Sequence, residues 1–224
     1  GQLTKLHNDL GKIRVLDPAC GCGNFLIVAY RELRALELEL MLRQRELNIQ
    51  EKGTQYAQLS FDVTGDLKVR LDHFYGIEIE EWPARIAETA MLLVDHLANQ
   101  RMSEDFGLAP DRLPIRIAPK IHLGSALSVD WSDVVQASDL RFIVGNPPFN
   151  GSRTMSSGQK AELRTVADGL KEAGYLDYVA GWYLLAARMM AQNPDIRSAL
   201  VSTNSVAQGE QPAIIWRALY ASGL

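Results

Sequence analysis

The chain has few cysteines, little net charge and no long apolar run, and each shortage excludes a class of protein. Its two cysteines, Cys20 and Cys22, are one residue apart, so a bridge between them would be strained and a structural zinc site lacks ligands. The net charge is −4, whereas a stand-alone nucleic-acid coat usually carries a basic excess. A catalytic core whose nucleic-acid contacts lie elsewhere is still compatible with this charge.

Targeting and metal-binding signals are also missing. The first nine residues lack the basic start and apolar core of a signal peptide. The longest apolar stretch near a helix, 178–187, has about half the length that a membrane span needs. We therefore expect a reducing, cytoplasmic setting and no membrane contact. A metal site is not expected either, because no Glu or Cys stands at ligand spacing from the four histidines, which are His7, His73, His96 and His122.

Strands alternate with helices along the chain, which predicts an α/β fold with a mostly parallel, doubly wound sheet covered on both faces. We treat residues 1–224 as one domain of a longer protein. The predicted strands are 13–17, 74–79, 120–123, 141–145 and 198–203. The predicted helices are 24–47, 83–100, 160–173, 176–192 and 210–221, and the predicted irregular segments are 52–70, 103–119 and 150–160.

The first predicted strand ends in Asp17 and is followed by a turn with two glycines, Gly21 and Gly23, before a helix near Asn24. Glycines let the backbone turn tightly and approach a ligand closely, and a helix N-terminus offers free N–H groups. No Lys-Ser/Thr pair follows, so a phosphate-binding NTPase loop is disfavoured. Asp17 instead indicates a ligand with a positive group, such as an ammonium or sulfonium, although a tight βα turn without a ligand is the alternative.

Two further strand ends carry candidate groups. Glu78 ends the second strand, where an acid commonly receives ribose hydroxyls, and Ile79 beside it is a candidate wall for a ring. The fourth strand leads into Asn146-Pro-Pro-Phe149. Its two prolines remove N–H donors, so the neighbouring carbonyls face outward as unpaired acceptors. Acceptors beside an aromatic face suit a planar group with an NH₂, such as adenine, cytosine or a glutamine amide.

In this order, the three segments resemble the class I S-adenosylmethionine-dependent methyltransferases, specifically the amino-group DNA methyltransferases that make N6-methyladenine. Residues 17–25 are similar to the family's methionine-binding motif, 76–80 to its ribose and adenine motif, and 145–149 to its catalytic motif. Residues 177–183 and 201–210 further resemble large single-chain enzymes that combine methylation with restriction. The resemblance covers about residues 13–215 and implies a Rossmann-like fold.

The resemblance implies S-adenosylmethionine as the cofactor. Asp17 and the backbone of 18–23 would hold its methionine moiety, Glu78 its ribose hydroxyls, and Ile79 would pack on its adenine. The family commonly has Asp or Asn after the third strand to bond the adenine amino group, whereas this chain has Ser125, a weaker acceptor of shorter reach. The cofactor-binding residues expected on this basis are Asp17, Ala19, Cys20, Gly21, Gly23, Asn24, Glu78, Ile79, Ser125 and Ala126.

For catalysis, the resemblance implies that Asn146 and the Pro147 carbonyl accept hydrogen bonds from the target amino group, with Phe149 stacked on a flipped base. Methylation at carbon 5 of cytosine would require a cysteine nucleophile, and both cysteines lie in the first loop. The resemblance implies DNA as the partner. The resemblance also implies a target-recognition domain after the last strands and a helical segment before residue 13, most of both lying outside this chain.

Other acceptors are compatible with the same turn. A protein glutamine methyltransferase also uses Asn-Pro-Pro, usually followed by Tyr, and cytosine N4 or an RNA adenine presents a similar amino group. A non-catalytic module that binds cofactor or DNA is a further alternative, which the intact turn disfavours. The chain shows no convincing Asp…Glu-x-Lys nuclease motif, so any cleavage activity would lie elsewhere in the parent protein. The recognition sequence and the oligomeric state are not indicated.

Overall fold

The computed structural model describes residues 1–52, 67–107 and 117–221. The strands within these ranges are β1 (Val15–Asp17), β2 (Phe74–Glu78), β3 (Lys120–Leu123), β4 (Phe142–Gly145) and β5 (Arg197–Leu200). They form one sheet in the order β3-β2-β1-β4-β5, and every neighbouring pair is parallel. The predicted Rossmann-like α/β fold with a doubly wound sheet is therefore confirmed.

Helices cover both faces of the sheet because successive strand residues point to opposite faces. The helices in the described part of the chain are α1 (Gln2–Leu10), α2 (Asn24–Lys52), α3 (Glu81–Phe106), α4 (Trp131–Val134), α5 (Ser157–Val166), α6 (Ala180–Gln192) and α7 (Gln211–Ala221). Leu16 and Ile143 pack in a cluster with α4 to α7, whereas Val15 and Phe74 pack in a second cluster with α1 to α3.

Helix α1 is an element that the sequence pattern did not predict. The resemblance implied a helical segment before residue 13, most of it outside this chain, whereas Gln2–Leu10 forms a helix ahead of β1. Leu3, His7 and Leu10 recur at the three- and four-residue spacing of one helical face. His7 and Leu10 are buried and Leu3 packs against the same cluster. The segment is a helix because that face has a partner in α2.

Several boundaries also differ from the predictions. α2 and α3 extend further than expected, to Lys52 and Phe106, and α3 ends where Gly107 takes a left-handed conformation with φ of 73°. α5 begins at Ser157 rather than 160, since Ser156 and Gln159 form a reciprocal capping box. It ends at Val166, well short of 173. Much of the predicted irregular segments 52–70 and 103–119 lies outside the described residues.

No helix within the described ranges has the length and apolarity to cross a membrane.

Candidate active site

A cavity of about 420 Å³ lies at the carboxyl ends of four strands, β1 to β4. The strand order reverses between β1 and β4, and open α/β sheets bind ligands beside such a reversal. A larger depression of about 790 Å³ lies at the opposite edge of the sheet and contains none of the predicted site residues. The cavity is lined by Pro18, Ala19, Ile77, Glu78, Ile79, Gly124, Ser125, Ala126, Asn146, Pro148, Gln159, Glu162, Tyr178 and Trp182.

Asp17 lies beneath this cavity and is 1% exposed. Burial, together with the nearby charge of Glu78, raises the pKa of the Asp17 carboxyl to about 7, although the Ala19 N–H donates to it at 3.0 Å. Its second oxygen, Oδ2, has no hydrogen-bond partner among the described residues. A Cβ at Gly145 would lie 2.6 Å from Asp17 Oδ1. Glycine is therefore needed where the end of β4 approaches this carboxyl.

The loop after β1 turns through two left-handed glycines, Gly21 with φ of 53° and Gly23 with φ of 86°, a conformation that favours glycine. α2 then begins at Asn24. The Cys20 N–H donates to Ile77 O at 3.1 Å, and the Cys20 side chain is buried in the core. Burial raises the pKa of its thiol. Cys20 thus contributes its backbone at the edge of the site, while its sulfur packs against the sheet.

Glu78 connects the β1 loop to β2. Its Oε2 accepts from the Gly21 N–H at 2.9 Å, and its Oε1 accepts from the Glu80 N–H at 2.9 Å. Each carboxylate oxygen can accept a second hydrogen bond, so the residue retains acceptor capacity on the cavity side. Ile79 follows it, 63% exposed and also lining the cavity.

The Asn146-Pro-Pro-Phe149 turn opens on the same cavity. Asn146 and Pro148 are exposed and line it, Pro147 is buried, and the ring of Phe149 is 44% exposed beside the turn without lining the cavity. The segment after the turn is held by the residues that precede α6, because the Tyr178 N–H donates to the carbonyl of residue 150 at 2.9 Å.

Four cavity-lining residues on α5, α6 and the segment between them were missed by sequence reasoning: Gln159, Glu162, Tyr178 and Trp182. Trp182 is buried, 4% exposed, and its Nε1 donates to Pro18 O at 3.0 Å. Its ring meets that of Tyr178 edge to face at 5.1 Å. The resemblance had drawn attention to residues 177–183 without giving them a role.

A hydroxyl cluster surrounds Glu162. The Tyr178 hydroxyl donates to Glu162 Oε2 at 2.5 Å, and Ser128 Oγ donates to Glu162 Oε1 at 3.0 Å. Partial burial raises the pKa of Glu162, but hydrogen bonds from Tyr178, Ser125 and Ser128 outweigh it, so the pKa is lowered overall. Conversely, burial and the bond to Glu162 raise the pKa of the Tyr178 hydroxyl. Glu162 is thus an ionised acceptor at neutral pH.

The structure separates the predicted site residues into two groups. Six line the cavity: Ala19, Glu78, Ile79, Ser125, Ala126 and Asn146. The others surround it without lining it: Asp17, Cys20, Gly21, Gly23, Asn24, Pro147 and Phe149. In the part of the chain that the structure describes, no cluster of three or more His, Cys, Asp or Glu side chains is placed to hold a metal ion. Cys20 and Cys22 are both free thiols.

A parallel sheet of this order, with a glycine-containing loop after β1 and an Asn-Pro-Pro-Phe turn after β4 around one cavity, defines a methyltransferase domain of Rossmann-like fold. The chain belongs to the family of MmeI DNA-methyltransferase domains, whose model matches residues 1–224. The predicted resemblance to the methyltransferase core of restriction-modification enzymes is thereby confirmed.

Known relatives agree with this assignment. The chain is 35% identical to DNA methyltransferase A of Bacillus subtilis (strain 168), over 99% of this chain and 24% of that protein. It is 28% identical, over 56% of its length, to a putative type II restriction enzyme and methyltransferase of Methanocaldococcus jannaschii, of which 9% is covered. The solved structure of the type IIL restriction-modification enzyme MmeI in complex with DNA matches with a TM-score of 0.89 at 43% identity, over 99% of this chain and 28% of that one. The chain thus spans about a quarter of the MmeI and Bacillus relatives.

Proposed function

We propose that this domain transfers the methyl group of S-adenosylmethionine to the N6 amino group of adenine in DNA, as the modification core of a restriction-modification protein. The observation that carries the proposal is the position of Asn146, which opens on the same cavity as the loops after β1, β2 and β3. An amino-group acceptor site and a cofactor site are then two ends of one space.

The residues around the cavity fit S-adenosylmethionine. The volume of about 420 Å³ lies within the usual range of small-molecule sites. Asp17 has a buried oxygen that no described residue satisfies, and a positively charged group nearby would favour its ionised form. Glu78 would take the ribose hydroxyls, and Ile79 would contact the adenine ring. When bound, the cofactor supplies an electrophilic methyl group.

The chain's own contribution is to prepare the accepting nitrogen. The lone pair of a neutral exocyclic amine is drawn into the aromatic ring, so the amine is a poor nucleophile. Hydrogen bonds from its N–H groups to the Asn146 side-chain oxygen and the Pro147 carbonyl would favour a pyramidal nitrogen and stabilise the positive charge that develops there. Loss of one such partner typically costs on the order of 10²–10³ in rate. No covalent nucleophile is required.

The target base has to leave the duplex to reach this turn, at a cost of a few kcal/mol. The exposed ring of Phe149 would offset part of this cost by stacking on the base. Because the chain covers about a quarter of its relatives, we place sequence recognition, and any cleavage of DNA, in parts of the parent protein beyond this domain.

The test compares methyl transfer with cofactor binding in the full-length protein. Asn146→Ala is expected to abolish transfer to DNA while the cofactor dissociation constant changes by less than about threefold, since Asn146 acts on the acceptor. Asn150→Ala, a matched change in the same segment whose side chain does not line the cavity, is expected to retain transfer. Equal losses of transfer and cofactor binding in Asn146→Ala would show that Asn146 is structural and would contradict the proposal.

A further inference from the structure

One carboxylate in the cavity has no part in the proposed function. Glu78 and Glu162 are the two acids among the described residues that line the cavity. Glu78 lies at the end of β2 and is bonded to backbone N–H groups. Glu162 comes from α5 and is held by side-chain hydroxyls. The position of Glu162 therefore calls for a separate explanation.

The hydroxyl partners place Glu162 at the β3 end of the cavity. Ser125 and Ser128 directly follow β3, and both hydrogen-bond to this carboxylate. Asn146 follows β4, which is separated from β3 by two strands, or about 14 Å at the usual strand spacing. The side chains that hold Glu162 thus include two from the loop after β3 and none from the turn after β4. Glu162 belongs to the end of the cavity where Ile79 and Ala126 offer apolar walls for a flat ring.

The state of this carboxylate determines which ligand group it can recognise. It is ionised and accepts from the hydroxyls of Ser125, Ser128 and Tyr178. An ionised carboxylate has about four acceptor positions and no donor, so at least one position is open for a ligand N–H. An amino group satisfies that position, whereas a carbonyl or a bare ring edge does not.

Ser125 does not need to provide this acceptor itself. Its hydroxyl is hydrogen-bonded to Glu162 and also interacts with the Tyr178 hydroxyl. A serine that donates its single hydrogen to a carboxylate orients that carboxylate. The negative charge at the β3 end of the cavity is therefore supplied by α5 rather than by the residue that follows the strand.

We infer that the Glu162 carboxylate accepts a hydrogen bond from the purine amino group of the cofactor. Ser125 and Tyr178 are positioning residues that orient this carboxylate. This inference rests on the proposed function, because it assumes that an adenine-containing cofactor fills the cavity. It makes α5, which follows the catalytic turn in sequence, part of cofactor recognition. A hydrogen bond to a charged group contributes enough to change affinity by about tenfold to a hundredfold.

The experiment measures dissociation constants of the full-length protein for two probes, S-adenosylhomocysteine and its 6-deamino analogue, in which hydrogen replaces the purine amino group. The wild type is expected to bind the amino form at least tenfold more tightly. Glu162→Ala is expected to bring the ratio of the two constants close to one, and Glu162→Gln, which keeps an uncharged acceptor, to give an intermediate ratio. Ser128→Ala is the matched control, because it removes a bond to the same carboxylate from outside the cavity and should preserve the preference.

The outcomes separate this inference from the proposed function. If the wild type binds neither probe, the proposed cofactor and the inference both fail. If it binds both probes equally, or if Glu162→Ala retains the wild-type ratio, the inference fails and the proposed function stands. A comparable loss of preference in Ser128→Ala would assign the effect to the hydroxyl cluster and contradict a direct role for Glu162. The measured quantity is the ratio of the dissociation constants of the two probes for one variant. A general loss of stability would therefore not produce the expected change in this ratio.

Discussion

Two fully buried carboxyl groups in this domain differ in how completely they are hydrogen-bonded. Asp17, 1% exposed at the end of β1, receives one backbone hydrogen bond from Ala19, and its Oδ2 has no partner within the described residues. Burial and the charge of Glu78 raise its pKa to about 7. The fold therefore holds Asp17 in a state that is unfavourable for its charged form.

Glu37, 0% exposed on α2, is the contrasting case. Its Oε1 accepts from the backbone N–H groups of Lys68 at 2.5 Å and Val69 at 3.1 Å, and lies 3.1 Å from His7 Nε2. Its Oε2 lies 3.3 Å from Arg34 Nη1. This carboxylate ties α1, α2 and the segment before β2 together. Buried polar groups that stabilise a fold are paired in this way.

The difference indicates which region serves structure and which serves ligands. A buried acceptor without a partner costs about 1–3 kcal/mol, a cost that a ligand can recover on binding. The scaffold beneath α1 to α3 has its central carboxylate satisfied, whereas the carboxyl edge of the sheet retains unused acceptors in Asp17, Glu78 and Glu162. Stability is thus assigned to the face of the sheet under α1 to α3, and binding to the carboxyl edge of the sheet.

Removing the scaffold carboxylate should have the largest effect on stability. Glu37→Ala leaves the Arg34 guanidinium buried without its anion, and breaking a buried pair typically costs about 3–5 kcal/mol. The free energy of unfolding, measured in urea, is expected to fall by this amount. Glu39→Ala, a change at an exposed site on the same helix, should stay within about 0.5 kcal/mol of wild type. Equal stability of the two variants would contradict the structural role assigned to Glu37.

Asp17 should make the stability of the domain depend on pH. Its folded-state pKa of about 7 exceeds the ordinary 3.8, so between these values the folded state holds a proton that the unfolded state has lost. This contribution is fully present below about pH 4 and is lost as the pH rises to about 7. Relative to Asp17→Asn, wild-type stability should therefore fall by up to about 1.4 kcal/mol per pH unit in that window.

Urea unfolding of the wild type and Asp17→Asn at several pH values measures this pH dependence of stability. Cofactor titrations of the same two proteins should show weaker binding by Asp17→Asn. A difference between the two proteins that is constant from pH 4 to 8 would contradict the raised pKa.

The smallest expected effect concerns the exposed ring beside the turn. Phe149→Ala should weaken productive engagement of DNA by about 1–3 kcal/mol, the usual contribution of base–aromatic stacking. Its melting temperature should be nearly unchanged because the ring is 44% exposed. Phe149→Trp, which keeps an aromatic face, should restore engagement. A lowered melting temperature with unaltered DNA kinetics would place Phe149 in the scaffold instead.

The sequence predicted the sheet well because strand signals are local. The strand Lys120–Leu123 was predicted with its observed bounds, and the other four strands within a few residues. The residue pattern did not predict helix α1, because its apolar face is short and is buried only by packing against α2. The family motifs follow strands β1, β2 and β4, so the parallel topology alone brings them to one edge.

The site residues that could not be predicted lie on or next to the helices that pack over the sheet and not at the ends of its strands. Glu162 lies 37 positions after Ser125 on a helix whose local sequence predicts only a solvated face. Its role depends on how α5 and α6 pack over the sheet, which no periodicity reveals. The hydrogen bond from Trp182 to the Pro18 carbonyl depends on the same packing.

The most direct test of the account is to identify the nucleoside that receives the methyl group. The full-length protein is incubated with methyl-tritiated S-adenosylmethionine and unmethylated DNA, with a protein lysate in parallel, and the products are digested. We expect the label in N6-methyladenine. Label in glutamine, in N4-methylcytosine or in RNA, or no label from protein that binds the cofactor, would contradict the proposed reaction.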